Sequence, residues 1–330
     1  MINIWKNKRN TKSKDCMKTP LVSIIILIYK NQDHLCSAID SVFIQNYSTM
    51  ELLISDDCSG NFSIEEVARY VNAKKPDGRF KKIDILVMSE NLGTVRHANY
   101  IASLTNGKYL RFLGADDEFN NPSVISDSVS FMEDTKALVS TSLTSIIDPQ
   151  SPGVVRVSPS PHAVRMINSL PPQELFGQLV IYGNVIGAPG TIFRRDFFTA
   201  RGGFDETYRL TEDYPSWLKL LREGIRIPCM QSITVKYQAN GISAKKNKNS
   251  LIAKQLFSEL GIIFKNEVIP YKRYLTKFQY RFGVFVYNRI FFYDNLSFLK
   301  KCLFFINHAD IIIWRRYNSL VTNLRGWGEK

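Results

Sequence analysis

The sequence is poor in the residues that build most metal and redox centres. Only four histidines occur in 330 residues, far apart along the chain. The five cysteines (Cys16, Cys36, Cys58, Cys229 and Cys302) are odd in number and include no C-x-x-C pair. That spacing supports neither a disulfide framework nor a zinc cluster, and it suits a reducing compartment. No run reaches the roughly 18 uncharged apolar residues of a spanning helix. The N-terminus "MINIWKNKRNTKSKDCMKTP" is basic but lacks the apolar stretch of a secretory signal, so a cytosolic protein is expected. Glycine is also missing where two large enzyme classes need it. The segment "LIYKNQDHL" (27–35), after the first apolar run, has none. A dinucleotide dehydrogenase needs G-x-G-x-x-G there. A sugar-nucleotide nucleotidyltransferase, the nearer enzymatic alternative, needs a glycine-rich basic phosphate loop at the same place.

What the chain does contain is unevenly distributed charge. The net charge of +13 divides into +5 over residues 1–20, −3 over 21–243 and +11 over 244–330. Basic ends on a slightly acidic middle suggest attraction to a polyanionic surface. A basic nucleic-acid-binding protein is the non-enzymatic alternative. It leaves unexplained why carboxylates gather in the acidic middle.

Apolar runs and helical spacings alternate through the first half. "LVSIIILIY" (21–29) is continuous and β-branched, as in a strand buried on both faces. Further strands are expected at 51–55, 83–88, 109–113 and 137–141. The spacing predicts helices from Leu35 through Phe43, from Ser63 to about Tyr70 behind an S-x-x-E capping box, over 93–105, and from Asn121-Pro122. Repeated βα units imply an α/β fold with a mainly parallel sheet, whose ligands bind beyond the carboxyl ends of the strands. After the Pro/Ser-rich stretch 148–162 the pattern loosens to a strand at 190–193, a helix over 213–223 and a strand around 225–235.

Three acidic sites stand out. Asp116-Asp117, in "RFLGADDEF", directly follow an apolar run. They form either a solvated turn or a site for a hard cation, since Mg²⁺ takes one or two carboxylates plus phosphate oxygens. Asp56-Asp57 in "LISDDCSG" are a polar turn, or acceptors for the imide N–H of a uracil or thymine. Glu212-Asp213 open a helix, where the dipole favours acids in any case, or they supply a general base.

In this order, the three sites resemble the inverting glycosyltransferases of the GT-A fold that include bacterial O-antigen and capsule sugar transferases. The opening residues 22–60, "ENLGTVRHANYIASLTNGKYLRFLGADDEF" (90–119) and "GTIFRRDFFTARGGFDETYRLTEDYPSWLKL" (190–220) carry the resemblance. It implies a nucleotide-sugar-binding half (21–120), an acceptor-binding half (121–243), a basic N-terminal segment (1–20) and a helical C-terminal region (244–330). It also implies Asp116 as ligand of Mn²⁺ or Mg²⁺, with Asp117 beside it. Asp57, with Asp56 and Tyr29, would bind the base, and Asp213, with Glu212, would act as catalytic base. The family's first D-x-D aspartate is Gly114 here, and its Arg before Asn99 is Ala98, with Arg96 close enough to substitute. Leu27-Ile28 stand for the usual Pro-Thr, and Lys30 for the Asn after the tyrosine. The resemblance implies transfer from a UDP- or dTDP-sugar to a glycan acceptor of the polyprenyl-linked kind, in surface-polysaccharide synthesis.

Segment 272–305 mixes aromatic, aliphatic and basic residues. It can be a subdomain packed on the core, or interfacial helices on an anionic membrane. The resemblance favours the second, hence a peripheral protein at the inner face of the cell membrane.

Overall fold

A computed structural model describes residues 19–74, 77–147, 155–238 and 250–325. Residues 1–18 of the basic N-terminal segment, the Pro/Ser-rich residues 148–154 and the lysine cluster up to 249 lie outside the described residues. β1 (Val22–Ile28) is the apolar run read from sequence, and β2 (Met50–Asp56) is buried along its whole length. With β3 (Phe80–Val87) and β4 (Tyr109–Gly114) they form a parallel set in the order β3-β2-β1-β4. α1 (Leu35–Phe43), α2 (Ile64–Ala73) and α3 (Thr94–Ser103) make the crossovers.

Alternation along β1 feeds two cores, one on each sheet face. Ile24 and Ile26 pack with Ala38 and Ile39 of α1, while Ile25 packs with Val95 and Ala98 of α3. Each fully buried isoleucine contributes about 1.5–3 kcal/mol. A one-residue register slip would exchange the two faces.

The register sets where the site forms. Ile28 lies opposite Asp56, and Leu27 opposite Gly114. The residues just past these strands therefore emerge along one edge of the sheet.

Beyond β4 the sheet becomes mixed. β5 (Glu118–Phe119) is followed by α4 (Val124–Thr135) and β6 (Val139–Ile147), then β7 (Val155–Ser158), α5 (Pro161–Ser169) and α6 (Pro172–Tyr182). β8 (Ile192–Arg194) inserts antiparallel between β4 and β6, so β6 does not pair with β4 as consecutive βα units suggest. α7 (Arg195–Ala200), α8 (Asp213–Arg222) and β9 (Cys229–Gln238) complete this half. α4 starts at Val124, three residues later than Asn121. The Asn121 side chain accepts from the Ser123 N–H at 2.9 Å, which forms a turn ahead of the helix.

The C-terminal region is helical: α9 (Leu251–Ile263), α10 (Lys277–Phe291), α11 (Phe298–Asn307) and α12 (Ala309–Arg325). α10 packs on α6 and α9, with Phe282 and Phe285 buried. Arg222 of α8 is buried against this region, with Nη2 2.6 Å from Glu267 Oε2 and its guanidinium over the Tyr271 ring. Within segment 272–305 the helices differ in packing. α10 packs on the core, whereas α11 buries no residue and exposes Phe298, Leu299, Leu303 and Ile306. Among the described residues no helix is long and apolar enough to cross a membrane.

Candidate active site

A cleft of about 1460 Å³ runs along the carboxyl edge of the parallel strands and continues between α6, α8 and the C-terminal helices. Tyr29, Asp57, Asp116, Asp117, Glu212 and Asp213 all line it. Sequence positions up to 184 residues apart are thus brought into one cavity.

At the end of β1 the chain turns through Lys30, whose φ of 56° is left-handed. The Tyr29 N–H donates to Asn31 Oδ1 at 3.0 Å, and Asn31 Nδ2 donates to Asp116 Oδ1 at 2.9 Å. Asn31 therefore orients Asp116. It stands one position beyond the place where the family pattern has its asparagine, so the pattern does not mark it.

The two aspartates after β4 differ in setting. Both line the cleft, but Asp116 is half-buried whereas Asp117 is buried, and the Asp117 Oδ1 accepts the Gln238 N–H at 3.4 Å. Burial, and then the neighbouring Asp116 carboxylate, push Asp117 well above the usual carboxylate range. A Cβ on Gly114 would sit 2.9 Å from Asp116 Oδ1 and 3.0 Å from Asp117 Oδ2. The glycine in place of the first D-x-D aspartate is thus part of the packing, since both carboxylates fold over it. Among the described residues no group of three or more His, Cys, Asp or Glu could hold a metal ion. A cation here would need ligands from a substrate, and oxygen-only donors of this kind suit a hard cation that keeps phosphate oxygens.

Asp56 and Asp57 also separate. Asp56 is fully buried and accepts the Ser59 N–H at 2.7 Å and the Ser59 hydroxyl, closing the turn after β2. Asp57 accepts the N–H groups of Leu92 at 2.8 Å and Gly93 at 2.9 Å, and Asn91 Nδ2 at 2.9 Å. It ties the end of β2 to the loop ahead of α3 while lining the cleft. Arg96 is not brought to the site: it lies outside the cleft lining, 3.7 Å from Glu206 on an exposed surface. On the strand-end side of the cleft it is Arg209 that lines it, with Nη2 donating to Asn91 Oδ1 at 2.6 Å and to Asn91 O at 3.0 Å.

Glu212 and Asp213 are fixed by the helix they start. Trp217, Leu218 and Leu221 bury one face of α8. The Trp217 indole N–H donates to Ile186 O at 2.7 Å, and the Tyr214 hydroxyl to Leu179 O at 2.8 Å. Asp213 Oδ2 accepts from Asn184 Nδ2 at 2.6 Å, and Oδ1 from the Tyr214 N–H at 2.6 Å. Enclosure pushes the Asp213 carboxyl up, partly offset by these donors. Enclosure and the Asp213 charge push Glu212 up to about 8. Glu212 thus carries a proton near neutrality, beside a carboxylate whose donors stabilise its ionised form.

The loop ahead of this pair is held from the C-terminal region. Glu259 of α9 is buried and accepts the N–H groups of Arg209, Leu210 and Thr211 at 3.1–3.2 Å, and the Thr211 hydroxyl at 3.0 Å. No local signal in the sequence marks Glu259 as the holder of this loop, because the loop lies about 50 residues away.

Comparison with known proteins bears on the family and the fold. The chain is 24% identical over 253 residues to an Escherichia coli protein, UDP-Glc:alpha-D-GlcNAc-diphosphoundecaprenol beta-1,3-glucosyltransferase WfaP, covering 76% of this chain and 90% of that one. It is also 24% identical to the putative teichuronic acid biosynthesis glycosyltransferase TuaG of Bacillus subtilis, over 69% of this chain and 83% of the relative. Among solved structures, S. aureus TarS 1–349 in complex with UDP-GlcNAc superposes with a TM-score of 0.52 at 16% identity, covering 88% of this chain and 80% of TarS. The mannosyltransferase PcManGT from Pyrobaculum calidifontis, in complex with GDP-Man and Mn²⁺, gives 0.55 at 12% identity, covering 94% and 84%. Residues 23–197 match the model of glycosyl transferase family 2. The protein is a GT-A-fold glycosyltransferase, related to enzymes of bacterial surface-polysaccharide synthesis, and it belongs to glycosyl transferase family 2.

Proposed function

We propose that the enzyme transfers a sugar from a UDP- or dTDP-sugar, with inversion, to a hydroxyl of a polyprenyl-linked glycan at a membrane surface. The observation that carries this reading is that Asp116, just past the end of β4, and Asp213, at the start of α8, line one cleft. Tyr29 and Asp57 would receive the base beside β1 and β2. Asp116, oriented by Asn31, would hold Mn²⁺ or Mg²⁺, with Asp117 behind it. When bound, the ion offsets negative charge on the diphosphate. Asp213 takes the proton of the acceptor hydroxyl as the oxygen attacks the anomeric carbon. The bond from that carbon to the diphosphate oxygen breaks on the opposite face, and the nucleoside diphosphate leaves. Residues 21–243 form the catalytic domain in this reading, and 244–330 a helical extension that closes the cleft. The exposed apolar side of α11, with Lys300 and Lys301 on the same helix, suits peripheral contact with an anionic bilayer.

The test is calorimetric titration with UDP, dTDP, GDP and CDP, each with and without Mn²⁺. Metal-dependent binding of UDP or dTDP is expected. Binding of no nucleotide under any condition would remove the reading.

Two further outcomes are expected. Glu259→Gln replaces a four-way acceptor with an amide that cannot accept at one end, so the 209–213 loop loosens. We expect kcat to fall about 10- to 100-fold while UDP affinity holds. A kcat equal to wild type would show that the loop keeps its place without this clamp.

The second concerns pH. Glu212 binds its proton up to about 8 when folded but only to about 4.5 when unfolded. Its contribution to stability is therefore fully present below about 4.5 and lost as the pH rises through about 8. Thermal unfolding without metal should show a smaller loss of Tm over that window in Glu212→Gln than in wild type. Parallel profiles would contradict the protonated Glu212.

A further inference from the structure

The cleft is larger than the roughly 300–1,000 Å³ of most small-molecule sites, and its far half is made by the C-terminal helices. Leu256 and Leu260 of α9 and Phe282 and Val286 of α10 give that half an apolar wall. Into the same cavity come Arg289 of α10 and Arg315 of α12. Neither arginine forms an ion pair with a carboxylate among the described residues. Their neighbours do: Arg281, two turns earlier on α10, pairs with Asp310 at 2.8 Å, and Arg222 pairs with Glu267. Carboxylates are therefore available to these helices and are used elsewhere. Both arginines are exposed, and they lie near enough that partial burial and the charge of Arg289 hold Arg315 below the usual arginine range. Two cations held together beside an apolar wall are stabilised by a shared anion, and guanidinium groups match phosphate oxygens in a bidentate manner.

We propose that Arg289 and Arg315 form an acceptor subsite that binds a phosphate or diphosphate ester whose apolar chain lies along the wall made by α9 and α10. The inference rests on the transferase reading above and specifies how the acceptor is held. The donor needs no part of this subsite, because Tyr29, Asp57 and Asp116 lie on the strand ends, whereas the arginines come from helices of the C-terminal region. An acceptor anchored here would share one cavity with Glu212-Asp213. The net charge of +11 over residues 244–330 steers such an anion toward the same end of the protein.

The experiment is calorimetry on the full chain with farnesyl diphosphate, farnesol and inorganic pyrophosphate as probes, and UDP with Mn²⁺ on the same samples. Farnesyl diphosphate should bind wild type more tightly than either farnesol or pyrophosphate. In Arg289→Gln/Arg315→Gln its affinity should fall at least about tenfold, with farnesol and UDP unchanged. Lysine at both positions should restore part of the loss, which a damaged fold would not allow. Farnesyl diphosphate binding equal in wild type and the glutamine variant overturns the proposal. So does loss of UDP affinity in that variant, which would give the arginines to the donor. Flotation with equimolar phosphatidylcholine–phosphatidylglycerol vesicles separates the remaining source of phosphate. Vesicle binding should be the same in both proteins; if it alone falls in the variant, the arginines serve bilayer headgroups and the subsite is wrong. A wild type that binds farnesyl diphosphate but no nucleotide would sink the donor assignment and leave this subsite standing.

Discussion

Asp116→Asn is expected to abolish metal-dependent nucleotide binding and to lower turnover by about 10²–10³ or more, with the fold intact. The substitution keeps an oxygen to accept from Asn31 Nδ2, so the contact at 2.9 Å survives. It removes the charge that pushes Asp117 upward, and one source of repulsion in the apoprotein goes with it. Stability should therefore hold or rise slightly, while a neutral amide is a poor ligand for a hard cation. Calorimetry with UDP and Mn²⁺ and a thermal melt on one preparation test both halves. Metal-dependent binding as tight as wild type would take the cation away from Asp116. A collapse of Tm would mean that the residue acts mainly through packing.

The strands were readable because their signal is local. Seven consecutive residues of β1 are apolar or small, and such a run has few homes other than the centre of a parallel sheet. β8 has only three residues, and its antiparallel insertion follows from how the second half folds back, which periodicity does not encode. The same limit applies at the site. Asp116 and Asp117 are equivalent in sequence, and only the Gly114 turn and the Gln238 contact leave Asp116 half-buried in the cleft and bury Asp117. Arg96 lies three residues from Gly93 and was a natural substitute for a missing arginine, but the rotation of α3 takes it to Glu206. Arg209, more than 100 residues away, reaches Asn91 instead. Glu259, Arg289 and Arg315 were legible only as members of a basic helical region, because their roles depend on which helix faces turn toward the cleft.

Asp213→Asn should lower kcat by about 10²–10⁴ and leave nucleotide affinity unchanged. The Tyr214 N–H can keep an oxygen acceptor in the variant, and Asn184 can rotate its amide so that its own oxygen receives the new N–H. The helix start is thus retained, at a cost of about 1 kcal/mol or less. What the amide cannot do is take a proton from the acceptor hydroxyl. Because enclosure pushes Asp213 up and the base works only when ionised, wild-type kcat/KM should fall as the pH drops through its pKa. Glu212 provides the contrast. It is already protonated near neutrality, so Glu212→Gln preserves its charge state there and should cost far less than Asp213→Asn. If the two losses came in the reverse order, the proton would pass to Glu212, and its value of about 8 would then appear as the acid limb of the rate profile. Equal and small losses would leave the pair without a base, and the proton would have to pass to another group on the acceptor side or to water. The pair of variants therefore decides the route of the proton, which neither can do alone.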